Sequence, residues 1–463
     1  MCKFLSYLLW DVICLLLITS THSYAQQPKS FDGYFDGSIR YRMESWNNMN
    51  ALNYGSNPVI GKSDDLILLQ RIIAGTTLKF KNKITLSAHL QDSRAFGWSL
   101  CHAKNPDLFK VHPENSTEPS YIMNPQEEFF EIYDLNIRID SILNFFSVVA
   151  GRQKIAYTDY RVFGPGSWGN TGRWTWDAIR LIIEEKKWSG SIWFGGTKIH
   201  DPGKTYLPFT NTEFNGGGLH AKIHLSDYLD TDLYMAHKRQ GSADYIRNLS
   251  ISRNWVGFRL YNPANRSLKH EISSTLEFGK ENESRIKAFG LFFKLGYQLN
   301  QVLWHPCLTL SYTYASGNSP QTNYKGNFDP VFGASDRYYG WMNLVKWANL
   351  DDREIMLELF PLNGIRIELK YNHFIIPQPE GALINGNLEL LPGKKHLGNE
   401  IDFYAKYDIN NNWQLAAATG LFLLKDAKTA ISETPGNATW VAFQMIYAFS
   451  WDLNKKSISI MKE

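Results

Sequence analysis

Polar and apolar side chains alternate in segments of about ten residues along nearly the whole chain, and this repeated period of two constrains the fold more than any other feature. Successive side chains of a β-strand point to opposite faces, so alternation gives each segment one polar and one apolar face. Ser38, Arg40, Arg42 and Glu44 share one face, and Ile39, Tyr41 and Met43 share the other. Arg366, Glu368 and Lys370 alternate in the same way with Ile365, Ile367, Leu369 and Tyr371. Glu400, Asp402, Lys406 and Asp408 lie opposite Ile401, Phe403, Ala405, Tyr407 and Ile409. That much charge on one face belongs in water rather than in a packed core. After the first residues no apolar run reaches the roughly 20 residues of a spanning helix. In a membrane such strands must close into a barrel, because hydrocarbon tolerates no unpaired backbone N–H or C=O. A soluble sandwich would instead bury the apolar faces.

The periodicity predicts an all-β fold, a transmembrane antiparallel β-barrel of eighteen strands. They fall near 36–46, 64–80, 83–94, 129–140, 143–153, 176–186, 189–199, 213–226, 229–239, 254–262, 267–279, 285–299, 302–315, 353–361, 364–376, 398–410, 413–424 and 438–451. Brief connections such as Lys81-Asn82, Asp227-Tyr228 and Asn411-Asn412 alternate with long ones at 95–128, 154–175, 200–212, 240–253, 316–352, 377–397 and 425–437. Short periplasmic turns and long extracellular loops are the pattern of outer-membrane barrels. Trp46, Trp188, Trp255, Tyr297, Trp304, Trp413 and Trp451 sit near strand ends, where aromatic girdles would lie.

Residues 1–25 read as a signal peptide: Lys3 supplies the charge, 4–18 is largely apolar, and Ser23-Tyr24-Ala25 offers a small-residue cleavage site. A membrane anchor or a buried helix is the other reading of that run. Residues 26–463 then form one barrel domain. Beyond the signal the cysteines are Cys101 and Cys307, in a loop and on an inward strand face; they either pair or stay free, and their spacing fits no metal site. The net charge of +3 gives no argument for nucleic acid.

Three stretches carry a resemblance. The first runs through Gly151-Arg152-Gln153-Lys154, Tyr160-Arg161-Val162-Phe163-Gly164, Trp168-Gly169-Asn170-Thr171-Gly172-Arg173 and Trp176-Asp177-Ala178-Ile179-Arg180-Leu181. The second is Gly326-Asn327-Phe328-Asp329-Pro330 with Tyr339-Gly340, and the third is Leu397-Gly398-Asn399-Glu400-Ile401-Asp402. Together they resemble the alginate-export family of bacterial outer-membrane β-barrels. The resemblance implies a monomeric channel of eighteen strands in outer-membrane lipid, through which an anionic polysaccharide passes outward with no cofactor and no metal. It also implies a periplasmic secretion complex as a partner.

A polyuronate carries a carboxylate on each sugar, and guanidinium groups bind carboxylates as a bidentate fork without losing charge. By strand parity or place in the motif, the candidate lumen residues are Arg40, Arg42, Arg71, Arg138, Arg152, Lys154, Arg161, Arg173, Arg180, Arg259, Arg366 and Lys370. Each could instead form a salt bridge with Glu44, Asp134, Asp177, Glu368, Glu400 or Asp402. Inward carboxylates are nearly as frequent as cations, which keeps open an uptake porin for another sugar or anion. A barrel enzyme and a soluble carbohydrate-binding protein are the readings from other classes. The enzyme reading lacks a motif: Gly164-Pro165-Gly166-Ser167-Trp168-Gly169 matches the dinucleotide fingerprint but suits a turn, and neither a His-Glu-x-x-His nor a Gly-x-Ser-x-Gly occurs. The acidic pairs Asp64-Asp65, Glu127-Glu128 and Asp351-Asp352 read as solvated or calcium-binding acids. The loop 316–352 is the expected gate.

Overall fold

The computed structural model describes residues 31–454 except 55–63, 82, 107, 112–120, 123, 144, 172–174, 199–200, 211, 241–250, 264–266, 331–332, 334–336, 381–387 and 430–435. The expected signal segment and Arg173 lie outside the described residues.

Eighteen strands carry the fold. The first six are β1 (Phe31–Asn47), β2 (Asp65–Phe80), β3 (Ile84–Phe96), β4 (Glu128–Ile142), β5 (Phe146–Lys154) and β6 (Thr175–Glu184). Next come β7 (Trp188–Lys198), β8 (Thr212–Ser226), β9 (Leu229–Gln240), β10 (Ile251–Tyr261), β11 (Leu268–Glu281) and β12 (Ser284–Gln298). The last six are β13 (Cys307–Ala315), β14 (Leu350–Leu359), β15 (Ile365–Ile375), β16 (His396–Asp408), β17 (Trp413–Leu424) and β18 (Ala438–Asp452). Each pairs antiparallel with the next, and β18 closes the ring on β1, from Tyr34 opposite Asp452 to Asn47 opposite Thr439. A barrel closed in this way leaves no sheet edge and no orphaned ladder of backbone groups.

Short turns at 81–83, 143–145, 185–187 and 227–228 mark one end as periplasmic, and the long connections gather at the other. Asn282–Glu283, joining β11 to β12, is the one brief connection at the long-loop end. The strand expected over 302–315 begins only at Cys307, because Trp304 and His305 adopt φ of 65° and 44° and turn the chain.

The apolar face of each strand looks outward: Leu66 is 65%, Phe194 70%, Leu276 59% and Phe443 56% exposed. A continuous belt of this kind does not persist on a water-soluble monomer. The opposite parity is inward, with Arg40, Arg42, Glu44, Asp402 and Glu400 all buried. Among the expected girdle aromatics, Trp188, Tyr297, Trp304, Trp413 and Trp451 are exposed. Trp46 and Trp255 are not: both are buried inside, where their indole N–H groups donate to Glu44 Oε2 and the Asp329 carbonyl. Both lie on the inward parity of their strands, and parity overrides position at a strand end.

Candidate functional site

Two long connections fold into the lumen instead of standing above it. The first, residues 155–171 between β5 and β6, crosses the barrel as a strap. Its near end is fixed to the β6–β9 wall by stacked rings. Phe163 lies 4.8 Å from Tyr157, 5.6 Å from Trp176 and 5.4 Å from Trp193, and Tyr157 stacks on His220. Pairs of this kind contribute about 0.5–1.5 kcal/mol each beyond area burial. Gly164-Pro165-Gly166 then leads to the far end, which meets β1, β2 and β3.

At that far end the barrel wall grips the strap's backbone. Arg40 Nη1 donates to the carbonyls of Ser167 and Trp168, both at 3.1 Å, and its Nη2 donates to the Gly169 carbonyl at 2.7 Å and Asn170 Oδ1 at 3.0 Å. Arg42 Nη1 donates to the Trp168 carbonyl at 2.6 Å, and Arg71 Nη1 to the Gly169 carbonyl at 3.2 Å. The Arg42 guanidinium also lies 4.3 Å over the Trp168 ring. Arg40 and Arg71 are direct partners in the β1–β2 register, which is why both reach one segment. Asn170 is fully buried and donates to the carbonyls of Gln70, Arg94 and Gln126, while its own carbonyl accepts from Ser93 Oγ at 2.7 Å. Buried backbone needs such partners.

The second inserted connection, 316–349 between β13 and β14, is held by carboxyl groups of the wall. Glu400 Oε1 accepts from the Met342 amide at 2.8 Å, and Asp402 Oδ2 accepts from the Trp341 amide at 3.1 Å. Trp341 stacks on Tyr404 at 4.3 Å and donates its indole N–H to Glu368 Oε1. Tyr339, Trp341, Met342, Leu344, Val345 and Trp347 are all buried. Burial drives the Tyr339 hydroxyl far above its ordinary range, against the pull of the Arg161 charge. Gly420 on β17 makes room for this packing, since a Cβ there would lie 2.5 Å from Met342 Cγ and 2.8 Å from Asp402 Oδ1.

The two insertions meet. Trp168 packs edge-on to Trp341 at 5.1 Å and to Trp440 at 5.9 Å. A second junction forms where Arg161 lies over Phe292 at 3.4 Å and over Tyr338 at 4.8 Å, and the Tyr338 hydroxyl donates to the Asp159 carbonyl. Lumen width is therefore set by both insertions. The expected gate, 316–352, is one of them; the strap, anticipated only as a turn-rich loop, is the other.

Arg42 also pairs with Glu44 at 2.5 Å, and the remaining candidate cations are mostly engaged with wall acids in the same way. Arg152 forks onto Asp177 at 2.7 and 3.0 Å and reaches Glu131 at 2.5 Å. Arg259 forks onto Glu271, Arg366 meets Glu358 and Glu368, and Lys370 meets Glu354 and Glu368. Arg138 pairs with Asp140 and, at 3.4 Å, with Glu184. Arg161 pairs with Asp159, Arg180 donates to Ser191 Oγ, and Lys154 lies 5.3 Å over the Tyr160 ring. Of the acids expected as salt-bridge partners, Asp134 instead contacts His89, and Glu400 and Asp402 hold backbone amides.

Half of the acids in the pairs expected in solvent are buried, while Asp64 is exposed and Asp65 and Asp351 are partly so. Glu127, Glu128 and Asp352 are nearly inaccessible, and Asp65 accepts from Ser99 and Asn50. Burial raises the Glu127 carboxyl above its ordinary range, against the opposing pull of the His102 amide and Asn124. Among the described residues no three His, Cys, Asp or Glu side chains are placed to hold a metal ion. Cys101 and Cys307 are both free.

Trp341, Tyr404 and Trp440 carry the constriction yet were not singled out from sequence. The signal for Trp341 was available: 338–347 reads Tyr-Tyr-Gly-Trp-Met-Asn-Leu-Val-Lys-Trp, too apolar for a solvated loop.

Comparison with known proteins bears on this geometry. The family model described as Alginate export matches residues 33–439. The fold is similar to Acinetobacter baumannii OccAB2 at 11% identity, with a TM-score of 0.58 and coverage of 92% of this chain and 100% of that one. OccAB4 of the same organism gives 9% identity, TM-score 0.55, and 92% and 99% coverage. The outer membrane protein OpdK of Pseudomonas aeruginosa gives 10% identity, TM-score 0.55, and 91% and 99% coverage. No curated protein matches.

Proposed function

Because the chain belongs to the alginate export family, and is an outer-membrane β-barrel channel, we propose that it passes an anionic polysaccharide outward, an alginate-like polyuronate moving passively. The observation that carries this reading is the convergence of Arg40, Arg42 and Arg71 on one height of the lumen, at the point where the strap crosses. A guanidinium cluster at a constriction favours carboxylates, and rings of fixed charge set the selectivity of pores. Lys154, Arg161, Arg173 and Arg180 lie on or beside the same strap in sequence and extend the basic path in this reading. The wall ladders of Arg138, Arg152, Arg259, Arg366 and Lys370 with carboxylates keep net attraction modest, which suits a polymer that must also leave.

In this reading the barrel is a channel and not an enzyme, acts as a monomer, and takes its polymer from a periplasmic secretion complex. Single-channel current in a planar bilayer under a salt gradient tests it. Polymannuronate oligomers should block the current at micromolar to millimolar levels, and a reversal potential biased toward anions should weaken when Arg42 and Arg71 are replaced by Gln. Current with neither bias nor block would favour a general porin, and uptake of another anion would be the reading if other carboxylates block and uronates do not.

A further inference from the structure

We infer that the outer face of the barrel carries a docking site for a phosphorylated glycolipid of the outer leaflet, in which Arg239, Lys280, Arg285 and Lys287 hold the headgroup phosphates. The site depends on the membrane-spanning barrel and not on what passes through the lumen.

The observation behind it is a sector where the lipid-facing parity turns cationic. Across β9, β10, β11 and β12 the outward side chains form register rows. Leu233, Phe258, Ser274 and Leu291 make one row, and Met235, Val256, Leu276 and Phe289 make the next. Toward the long-loop end follow His237, Asn254, Phe278 and Lys287, and then Arg239, Ser252, Lys280 and Arg285. The surface thus passes from apolar to basic within two rows, and all four cations are exposed.

The change falls at the height of a headgroup. A barrel strand tilted by about 40° climbs about 2.5 Å per residue. The ten positions from Tyr297 near the periplasmic end to Lys287 therefore climb about 25 Å, which is the height of the apolar band. Interfacial aromatics mark the same level: Phe289 stacks on Tyr314 at 5.3 Å, and Lys287 Nζ lies 5.5 Å from the Tyr324 ring. A lysine there keeps its stem along apolar surface and its ammonium among phosphates. Asn282–Glu283 is brief, so β11 and β12 raise no long loop over the patch.

The charges are left without partners of their own. The inward acids of the same strand ends are taken, Glu277 and Glu281 by Arg253, and Glu281 also by Lys325. None of the four outward cations has a carboxylate of a described residue within ion-pair distance, and Glu283 in the turn is the exposed acid beside them. Lys280 and Arg285 are direct cross-strand partners. Like charges so placed destabilise a sheet unless an anion sits between them. A phosphate fits, since guanidinium groups take it as a bidentate fork and lysine as a point charge.

The test uses the full-length protein in detergent, titrated with fluorescent diphosphoryl lipid A and followed by anisotropy. The combined variant Lys280→Gln, Arg285→Gln and Lys287→Gln should bind about tenfold or more weakly, with single-channel conductance unchanged. Arg285→Lys, which keeps the charge and loses the fork, should lose a smaller part, and it keeps the test in place if the combined variant does not fold. Lys186→Gln with Lys187→Gln, in a periplasmic turn, should leave the affinity unchanged. Equal losses from the two ends, or equal binding of the same lipid stripped of its phosphates, would overturn the site. Release of the bound lipid by inorganic phosphate at matched concentration would overturn it too, assigning the patch to a free anion.

Discussion

At the scale of single residues, two inward arginines on different strands of the wall have different consequences when removed. Arg152 is fully buried, and its loss leaves Glu131 and Asp177 facing each other across an uncompensated site. Removing one partner from a buried ionic cluster costs about 3–5 kcal/mol. Arg152→Ala should therefore lower the urea midpoint for unfolding from lipid vesicles, and Arg152→Lys should recover only part of the loss because it cannot fork. Arg40 is equally buried but grips carbonyls of the strap, so Arg40→Ala should leave the unfolding midpoint much nearer to that of the unaltered protein while raising the open current. Parity placed both arginines inward from sequence alone. It did not separate their roles, because the oxygens that Arg40 holds come from a segment more than a hundred positions further along the chain. No local pattern encodes that pairing.

At the scale of elements, the strands were legible, whereas of the two insertions only 316–352 was expected to act at the lumen. Each of the eighteen strands follows from a period of two, a property of a dozen consecutive residues. The descent of 155–171 and 316–349 into the barrel depends instead on which wall residues leave space and which offer charge. Gly340 is one such detail: it takes φ 83°, and a Cβ on it would lie 2.2 Å from Glu400 Oε1. A left-handed conformation costs a non-glycine residue roughly 1–2 kcal/mol, before the displacement of Glu400 is counted. Gly340→Ala should undock the second insertion and raise the frequency of the higher-conductance state by about fivefold or more, read from single-channel records. Unchanged gating would mean that Glu400 and Asp402 do not hold this loop in the membrane. Deleting 316–349 should raise conductance further, yet short of a fully open barrel, because the strap still crosses on its own anchors.

At the scale of the whole molecule, the barrel wall separates a lipid face from a wet one at single-residue resolution, and β18 shows how sharply. Phe443 faces outward and is 56% exposed, whereas Gln444 faces inward and lies 3.4 Å from Arg42 Nη1. Phe443 pairs with Met43 on one side and Ala417 on the other, well away from both strand ends, so it sits near the middle of the hydrocarbon layer. A charge at that depth on the lipid face costs about 2–4 kcal/mol, while lumen positions tolerate polarity. Phe443→Arg should therefore lower stability in lipid vesicles by that amount, measured as the shift in urea unfolding. Gln444→Glu, one residue away, should shift it far less, because the new carboxylate meets the Arg42 guanidinium rather than lipid. Equal losses from the two substitutions would contradict a membrane-spanning β18, and with it the closed ring in which β18 returns to β1. The same contrast explains why a chain of near-neutral net charge can line a pore with arginine: the membrane constrains only one face of each strand, and the other is left free to carry charge.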